Sequence, residues 1–263
     1  NLRGIPMGKD CLSPPTHSEF STPKDLLEFV QRLRHMTGGK RIGFKICIGR
    51  RSEFMSICKA MVATGVTPDF ITIDGAEGGT GAAPLEFTNR LGVPINESLA
   101  FAHNCLVGCN LRGKIRLIAS GKVATGFDVI MKIALGADAC NIARPMLFSI
   151  GCIQALRCNT NTCPTGVTTQ DPKRSRAVKP AHKSHHVKNL HHNTMKSFLD
   201  MTGAMGLDHP DKLNAKMIFH RLSEGESSTF HKLLNFIDSG DLLREQVPAY
   251  YKPYWEHSSA EHF

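Results

Sequence analysis

Four short apolar runs rich in isoleucine and phenylalanine, IGFKICI (42–48), DFITID (69–74), IRLIAS (115–120) and ACNIA (139–143), are each followed by a stretch of helical periodicity. The helical stretches read EFMSICKAMVATG after Ser52, then ESLAFAHNCLVGC, then FDVIMKIALGA. Strands that are apolar on both faces and alternate with helices must be covered on both sides, which selects parallel βα units over hairpins. A further helix precedes the first run: Thr22 caps it, Pro23 occupies its first position, and Leu26, Leu27, Phe29, Val30 and Leu33 form one stripe that Gly38-Gly39 ends. In parallel βα folds the loops that leave the C-terminal strand ends carry the ligands. Here those loops are GRRSE, GAEGGTGAAP, GKVATG and the turn into ARPMLF.

The chain has 263 residues, compatible with one large domain or two small ones. No run approaches the roughly 18–20 apolar residues that span a bilayer, and the N-terminus lacks a signal-peptide layout, so no membrane partner is expected. Nine cysteines, an odd number scattered over a chain of this size, suggest reduced thiols in a cytoplasmic protein, some of them ligands. The net charge of +9 is concentrated: between Asp171 and His192 stand six Lys or Arg and a single acid. No aromatic residue is interleaved there for base stacking, so a solvated connecting segment is expected rather than a nucleic-acid site. Its histidines at 182, 185, 186, 191 and 192 lack nearby acids or cysteines and read as a solvated helix entry. Val187, Leu190, Thr194, Phe198, Met201 and Met205 then recur at spacings of three and four, an amphipathic helix closing near Gly203 and Gly206.

Several stretches carry chemistry. Gly75, Gly78, Gly79 and Gly81 place four glycines in seven residues directly after a strand, more than a tight turn needs, and favour a loop whose backbone approaches an anion or a flat ring. The loops SGKVATG and ARPMLF follow the third and fourth strands. In βα barrels such a pair forms the usual phosphate site, with Gly121, Lys122 and Arg144 supplying backbone approach and positive charge. Lys45 interrupts an otherwise apolar strand. Either it snorkels out at an edge or it points into the mouth of a site holding an anion. Cys152, Cys158 and Cys163 follow a C-x5-C-x4-C spacing that does not match the paired C-x2-C knuckles of zinc ribbons. Three thiolates are what a three-iron cluster requires, against the plainer reading of three unrelated buried thiols.

Three motifs in order, GFKIC, DGAEGGTGAAP and GCIQALRCNTNTCPTGVTTQ, resemble the FMN-binding domain of glutamate synthase, in particular its stand-alone relatives. The resemblance runs from the N-terminus, including SPPTHSEFSTPKDLLEFVQRLR, to about residue 222; the last forty residues carry no placeable motif. It implies a (βα)8 TIM barrel with FMN at the C-terminal mouth and a 3Fe-4S cluster held by Cys152, Cys158 and Cys163. Lys45 matches the lysine near the flavin and the 2-oxoglutarate site. Gly78, Gly79, Thr80 and Gly81 match the loop facing that site, Ser120, Gly121 and Lys122 the phosphate loop, and Arg144 would assist there. The implied reaction is reductive synthesis of L-glutamate from 2-oxoglutarate and glutamine-derived ammonia through 2-iminoglutarate, with electrons from an NAD(P)H-linked subunit or ferredoxin.

The sequence departs from the family in places. Large glutamate synthases have Gly-Gly where Gly121-Lys122 stands, and Pro145 occupies a position expected to be small. No glutaminase segment is present, so ammonia would come from solution or another subunit. A closed barrel needs eight βα units, typically about 250 residues; four are found, and they correspond to the second half of the family's barrel. The expected organisation is a partial barrel over residues 1–170, with an iron-sulfur loop at 151–170, then a basic linker and helical C-terminal extension over 171–263. The chain is expected to be the C-terminal part of a longer protein. The alternatives are a related FMN barrel oxidoreductase acting on another 2-oxo or 2-hydroxy acid, and an inactive fragment that needs the missing half-barrel.

Overall fold

The computed structural model describes residues 6, 8–10, 16–78 and 86–263. Its first helix, α1 (Pro23–Met36), starts as expected: the Thr22 side chain accepts from the Asp25 amide and the Asp25 side chain accepts from the Thr22 amide, a reciprocal capping box. Three βα units and a final strand follow: β1 (Gly43–Cys47), α2 (Arg51–Thr64), β2 (Phe70–Asp74), α3 (Ile95–Gly108), β3 (Arg116–Ser120), α4 (Gly126–Ala134) and β4 (Ala139–Asn141). A short α5 (Arg144–Ser149) leaves β4. The four strands form one parallel sheet in the order β1-β2-β3-β4. This is the α/β architecture expected for a run of βα-barrel units, each strand placed beside its predecessor by a helical crossover.

Alternation along the strands divides the sheet into two unlike faces. Ile71 and Ile73 of β2 and Leu117 and Ala119 of β3 are fully buried and join Phe54, Met55 and Met61 of α2 and Leu99 and Leu106 of α3 in the main core. The opposite face is polar toward its upper end. Register places Lys45, Thr72, Ile118 and Ala139 in one row and Cys47, Asp74, Ser120 and Asn141 in the next, at the strand exits. Gly43 lies across from Phe70 on this face, and a β-carbon there would run into the Phe70 ring and carbonyl. The lower ends of the strands are braced by two aspartates. Asp69 accepts from Arg34, Arg41 and the Ile42 amide, and Asp138 from Arg112, Arg116 and the Leu117 amide. Among the described residues β1 and β4 each pair on one side only. A groove of about 980 Å³ runs along the open side of β4, lined by Ile118, Ala139, Cys140, Met146 and Phe198 among others.

The basic stretch beyond residue 171 is largely helical: one turn, α6 (Pro172–Ser175), is followed by α7 (Pro180–Ala204), 25 residues long. Thr194 and Phe198 are buried, and the five histidines at 182, 185, 186, 191 and 192 are exposed. Phe198 joins Val123, Val129, Ile130 and Ala134 in a second core cluster, where Leu213 and Ile218 complete the packing. The remainder contains a two-stranded antiparallel hairpin, β5 (Phe219–Ser223) and β6 (Glu226–Thr229), which the helical expectation did not include. After it come the short helices α8 (Phe230–Leu233) and α9 (Lys252–Glu256).

The last forty residues lie on the outer faces of α2 and α3. Tyr251 is fully buried; its hydroxyl accepts from Asn104 Nδ2 at 2.7 Å and donates to the Asn235 carbonyl at 2.9 Å. Lys59 of α2 donates to the Trp255 and Ser258 carbonyls and lies over the Trp255 ring. Leu242 seats against Gly108, where even a methyl group would collide with it.

Candidate active site

Of the residues singled out in the sequence, the strand exits gather Lys45, Gly78, Ser120, Gly121, Lys122 and Arg144. Lys45 is on the polar face, and its ammonium meets the Asp74 carboxylate at 2.6 Å. The Lys45 side chain is 57% exposed, so it is a paired cation open to solvent at the mouth and not a charge trapped inside the sheet. Asp74, which closes β2, was not singled out in the sequence. FITID ends an apolar run on an acid, but the face that acid shares with Lys45 follows only from the register of β1 with β2. Cys47 and Asn141 complete the exit row and were missed for the same reason. Burial, with the Asp74 and Glu77 carboxylates next, pushes the Cys47 thiol above its ordinary range.

Two loops meet above this row. The Gly75 amide donates to the Ser120 carbonyl at 2.9 Å, stitching the exits of β2 and β3 together. Gly121 (φ 140°) and Lys122 (φ 48°) both take positive φ, which turns the chain sharply after β3. Such turns let backbone N–H groups converge on an anion. Positive φ is strained for lysine and natural for glycine, so the backbone at Lys122 is one that favours glycine. Gly78 is exposed, and no described residue occupies the space where a side chain would stand. Gly79, Thr80 and Gly81 lie outside the described residues. Arg144 opens α5 at the exit of β4 and is exposed.

The cysteine loop follows α5. It turns through left-handed backbone at Gly151, Gln154, Leu156 and Asn161. Asn161 Oδ1 clamps the two arms by accepting from the Gln170 amide at 2.6 Å and from Thr169 Oγ1 at 2.9 Å. Arg174 of α6 donates to the Thr162 carbonyl, and Gly166 abuts the Arg174 carbonyl too closely for any side chain. Cys152 and Cys158 are half-buried, Cys163 is buried, and all three are unbridged. The Thr165 hydroxyl, 3.5 Å from the sulfur, does most to pull the Cys163 thiol down to about 6; burial opposes it, and further hydrogen bonds from Thr168 and the Thr165 backbone assist. Cys163 is therefore disposed to be a thiolate near neutral pH, the form that binds soft metals. The loop does not close the three sulfurs around one point: among the described residues no three His, Cys, Asp or Glu side chains are gathered as a metal-binding group. Nor is any described helix long and apolar enough to cross a membrane.

Over residues 1–208 the chain matches the conserved region in glutamate synthase. It is 37% identical over 235 residues to the glutamate synthase large subunit-like protein YerD of Bacillus subtilis, covering 89% of this chain and 45% of that one. It is 30% identical over 239 residues to an archaeal-type glutamate synthase (NADPH) of Dehalococcoides mccartyi, covering 91% and 47%. The glutamate synthase (NADPH) large chain of B. subtilis is 35% identical over 179 residues, 66% of this chain and 11% of that one. The chain thus spans about half the length of the first two relatives. The matched stretch takes in all four parallel strands, the glycine-rich exits and the cysteine loop, and by it the chain belongs to the glutamate synthase family.

Proposed function

We propose that the protein of which these residues form part is a glutamate synthase-type oxidoreductase. It would form L-glutamate reductively from 2-oxoglutarate and ammonia, the latter derived from glutamine, through 2-iminoglutarate. The observation that carries the reading is the exit row itself: a solvent-open lysine held by an aspartate, beside a glycine turn, in a chain of this family.

By donor chemistry the chain's residues suit two groups. The turn Ser120-Gly121-Lys122 would take the phosphate of FMN, with Arg144 adding positive charge, and Gly78, Gly79, Thr80 and Gly81 match the family's ring-facing loop. Cys152, Cys158 and Cys163 would supply the three soft donors of a 3Fe-4S cluster once the loop draws them together, since their sulfurs are not gathered as a metal-binding group among the described residues. When bound, FMN supplies hydride transfer and the cluster supplies one-electron relay. The protein's own task is positional. Lys45 would bind a substrate carboxylate and offset negative charge that develops as the imine is reduced, while Asp74 fixes its ammonium at the mouth. Electrons would come from an NAD(P)H-linked subunit or ferredoxin, and ammonia from a glutaminase subunit or solution.

Anaerobic reconstitution of the full-length protein with flavin, iron and sulfide, followed by its visible spectrum, tests this reading. Both flavin and iron-sulfur absorption are expected, together with 2-oxoglutarate- and ammonia-dependent reoxidation. Absence of both absorptions would refute it.

A further inference from the structure

Lys132 on α4 is 2% exposed, an ammonium almost wholly withdrawn from water. Its Nζ donates to Asn96 Oδ1 at 2.6 Å, a neutral acceptor that does not balance the charge. Burying an ammonium costs several kcal/mol unless an anion compensates it. Of the anions around it Asp128, one turn earlier on α4, raises its pKa most, although that carboxylate is also engaged in the cap of α4, accepting from the Ala124 and Thr125 amides and the Thr125 hydroxyl. Next in influence come the Cys140 thiol and the carboxylates of Glu77 and Glu97.

Glu77 presents the complementary problem. Its Oε1 accepts from the Ile95 amide at 3.0 Å, capping α3 where Pro94 offers no side-chain acceptor. Its Oε2 is enclosed and, among the described residues, has no hydrogen-bond partner. The carboxylate fills the space that a side chain at Gly75 would need and stands 3.5 Å from where a β-carbon at Gly121 would sit. It is therefore wedged between the exits of β2 and β3. The two residues contacted at the start of α3 are consecutive: Ile95 holds Glu77 and Asn96 holds Lys132.

We propose that Lys132 is a positioning residue: acting through Asn96 at the start of α3, its buried ammonium helps balance the enclosed Glu77 carboxylate and so holds residues 75–78 at the exit of β2 in register with the turn leaving β3. Burial lowers the ammonium's pKa, and the surrounding anions, Asp128 first and then Cys140, Glu77 and Glu97, raise it only in part. The link to ligand binding rests on the flavin reading above; the charge pairing itself does not.

The test is a double-mutant cycle in the full-length protein with Lys132→Met, Glu77→Gln and the pair, read by FMN fluorescence quenching and by urea unfolding. Lys132→Met is expected to weaken FMN binding at least tenfold and to lower the unfolding midpoint, because it strands a carboxylate. Adding Glu77→Gln removes that charge and is expected to bring affinity within threefold of Glu77→Gln alone. Additive losses would overturn the proposal and leave Lys132 as packing only. A Lys132→Met protein too unstable to purify that is recovered by Glu77→Gln supports the pairing; one that is not recovered overturns it. If the wild-type protein binds no FMN, the functional reading fails, while the unfolding cycle still decides the pairing.

Discussion

Gly126 opens α4, and its α-carbon lies against the backbone of α7. A β-carbon at 126 would sit 2.6 Å from the Phe198 amide nitrogen and 2.9 Å from Ser197 Oγ. Relaxed contacts involving carbon lie at about 3.5–4.0 Å, so Gly126→Ala requires the two helices to separate by about 1 Å. The nearest obstacle is backbone and cannot rotate away. Overpacking of this kind costs about 1–3 kcal/mol, offset by at most about 1 kcal/mol from the better helix propensity of alanine. A net loss between about 0 and 3 kcal/mol follows, centred near about 1.5 kcal/mol, or roughly 3–6 °C in melting temperature at about 2–4 °C per kcal/mol for a chain of this size. Gly203 is the internal control: it lies in α7 with nothing within 4 Å of its missing side chain, so Gly203→Ala is expected to be neutral or stabilising by up to about 1 kcal/mol. Urea unfolding of the full-length protein followed by circular dichroism measures both. If Gly126→Ala is as stable as wild type, or if both variants lose the same amount, the close approach of α4 and α7 is not what requires glycine.

Three further outcomes follow from the site and its supports. Serine in place of Cys152, Cys158 or Cys163 is expected to remove iron-sulfur absorption while leaving flavin absorption; retention of the cluster signal in any of the three would take that residue out of the ligand set. Lys45→Met is expected to raise KM for 2-oxoglutarate at least tenfold with FMN affinity within about twofold of wild type, as steady-state kinetics and flavin titration would show. Burial pushes the Asp69 carboxyl up, but the Arg34 guanidinium, the Ile42 amide and Arg41 outweigh it and hold it at about 2. Because that value lies below the ordinary carboxylate range, the stabilisation is fully present above about pH 4 and is lost as pH falls toward 2. Denaturant midpoints compared at pH 6 and pH 3 should therefore fall less for Asp69→Asn than for wild type, and equal falls would show that Asp69 does not carry the acid response.

The four parallel strands were readable because apolar on two faces is a local property of each run, and β1 to β4 fall within the segments that composition marked. Lys45 was readable as an anomaly, a cation inside an apolar strand, but its partner was not, since Asp74 meets it only once β1 and β2 pair in register. The wedge formed by Glu77 was hidden for the same reason: it depends on Gly75, Gly121 and Ile95 coming together from three loops. Gly43 gave no sign of its role, because the need for glycine there comes from Phe70 on the neighbouring strand. In the cysteine loop the spacing marked the three thiols, whereas the Thr165 contact that acidifies Cys163 is a matter of side-chain orientation. The C-terminal segment was opaque because its order comes from distant partners, Asn104 for Tyr251 and Lys59 for Trp255.

That last arrangement has a consequence for synthesis. Asn104 and Tyr251 are 147 positions apart, so at about 5–20 residues per second a ribosome needs roughly 7–30 s to deliver the phenol after the amide that receives it. Throughout that interval the outward surfaces of the first and second crossovers, α2 and α3, lack the cover that this segment supplies. They are the part of the nascent polypeptide that a chaperone would have reason to shield, and the arrival of residues 242–258 would be the event that releases it.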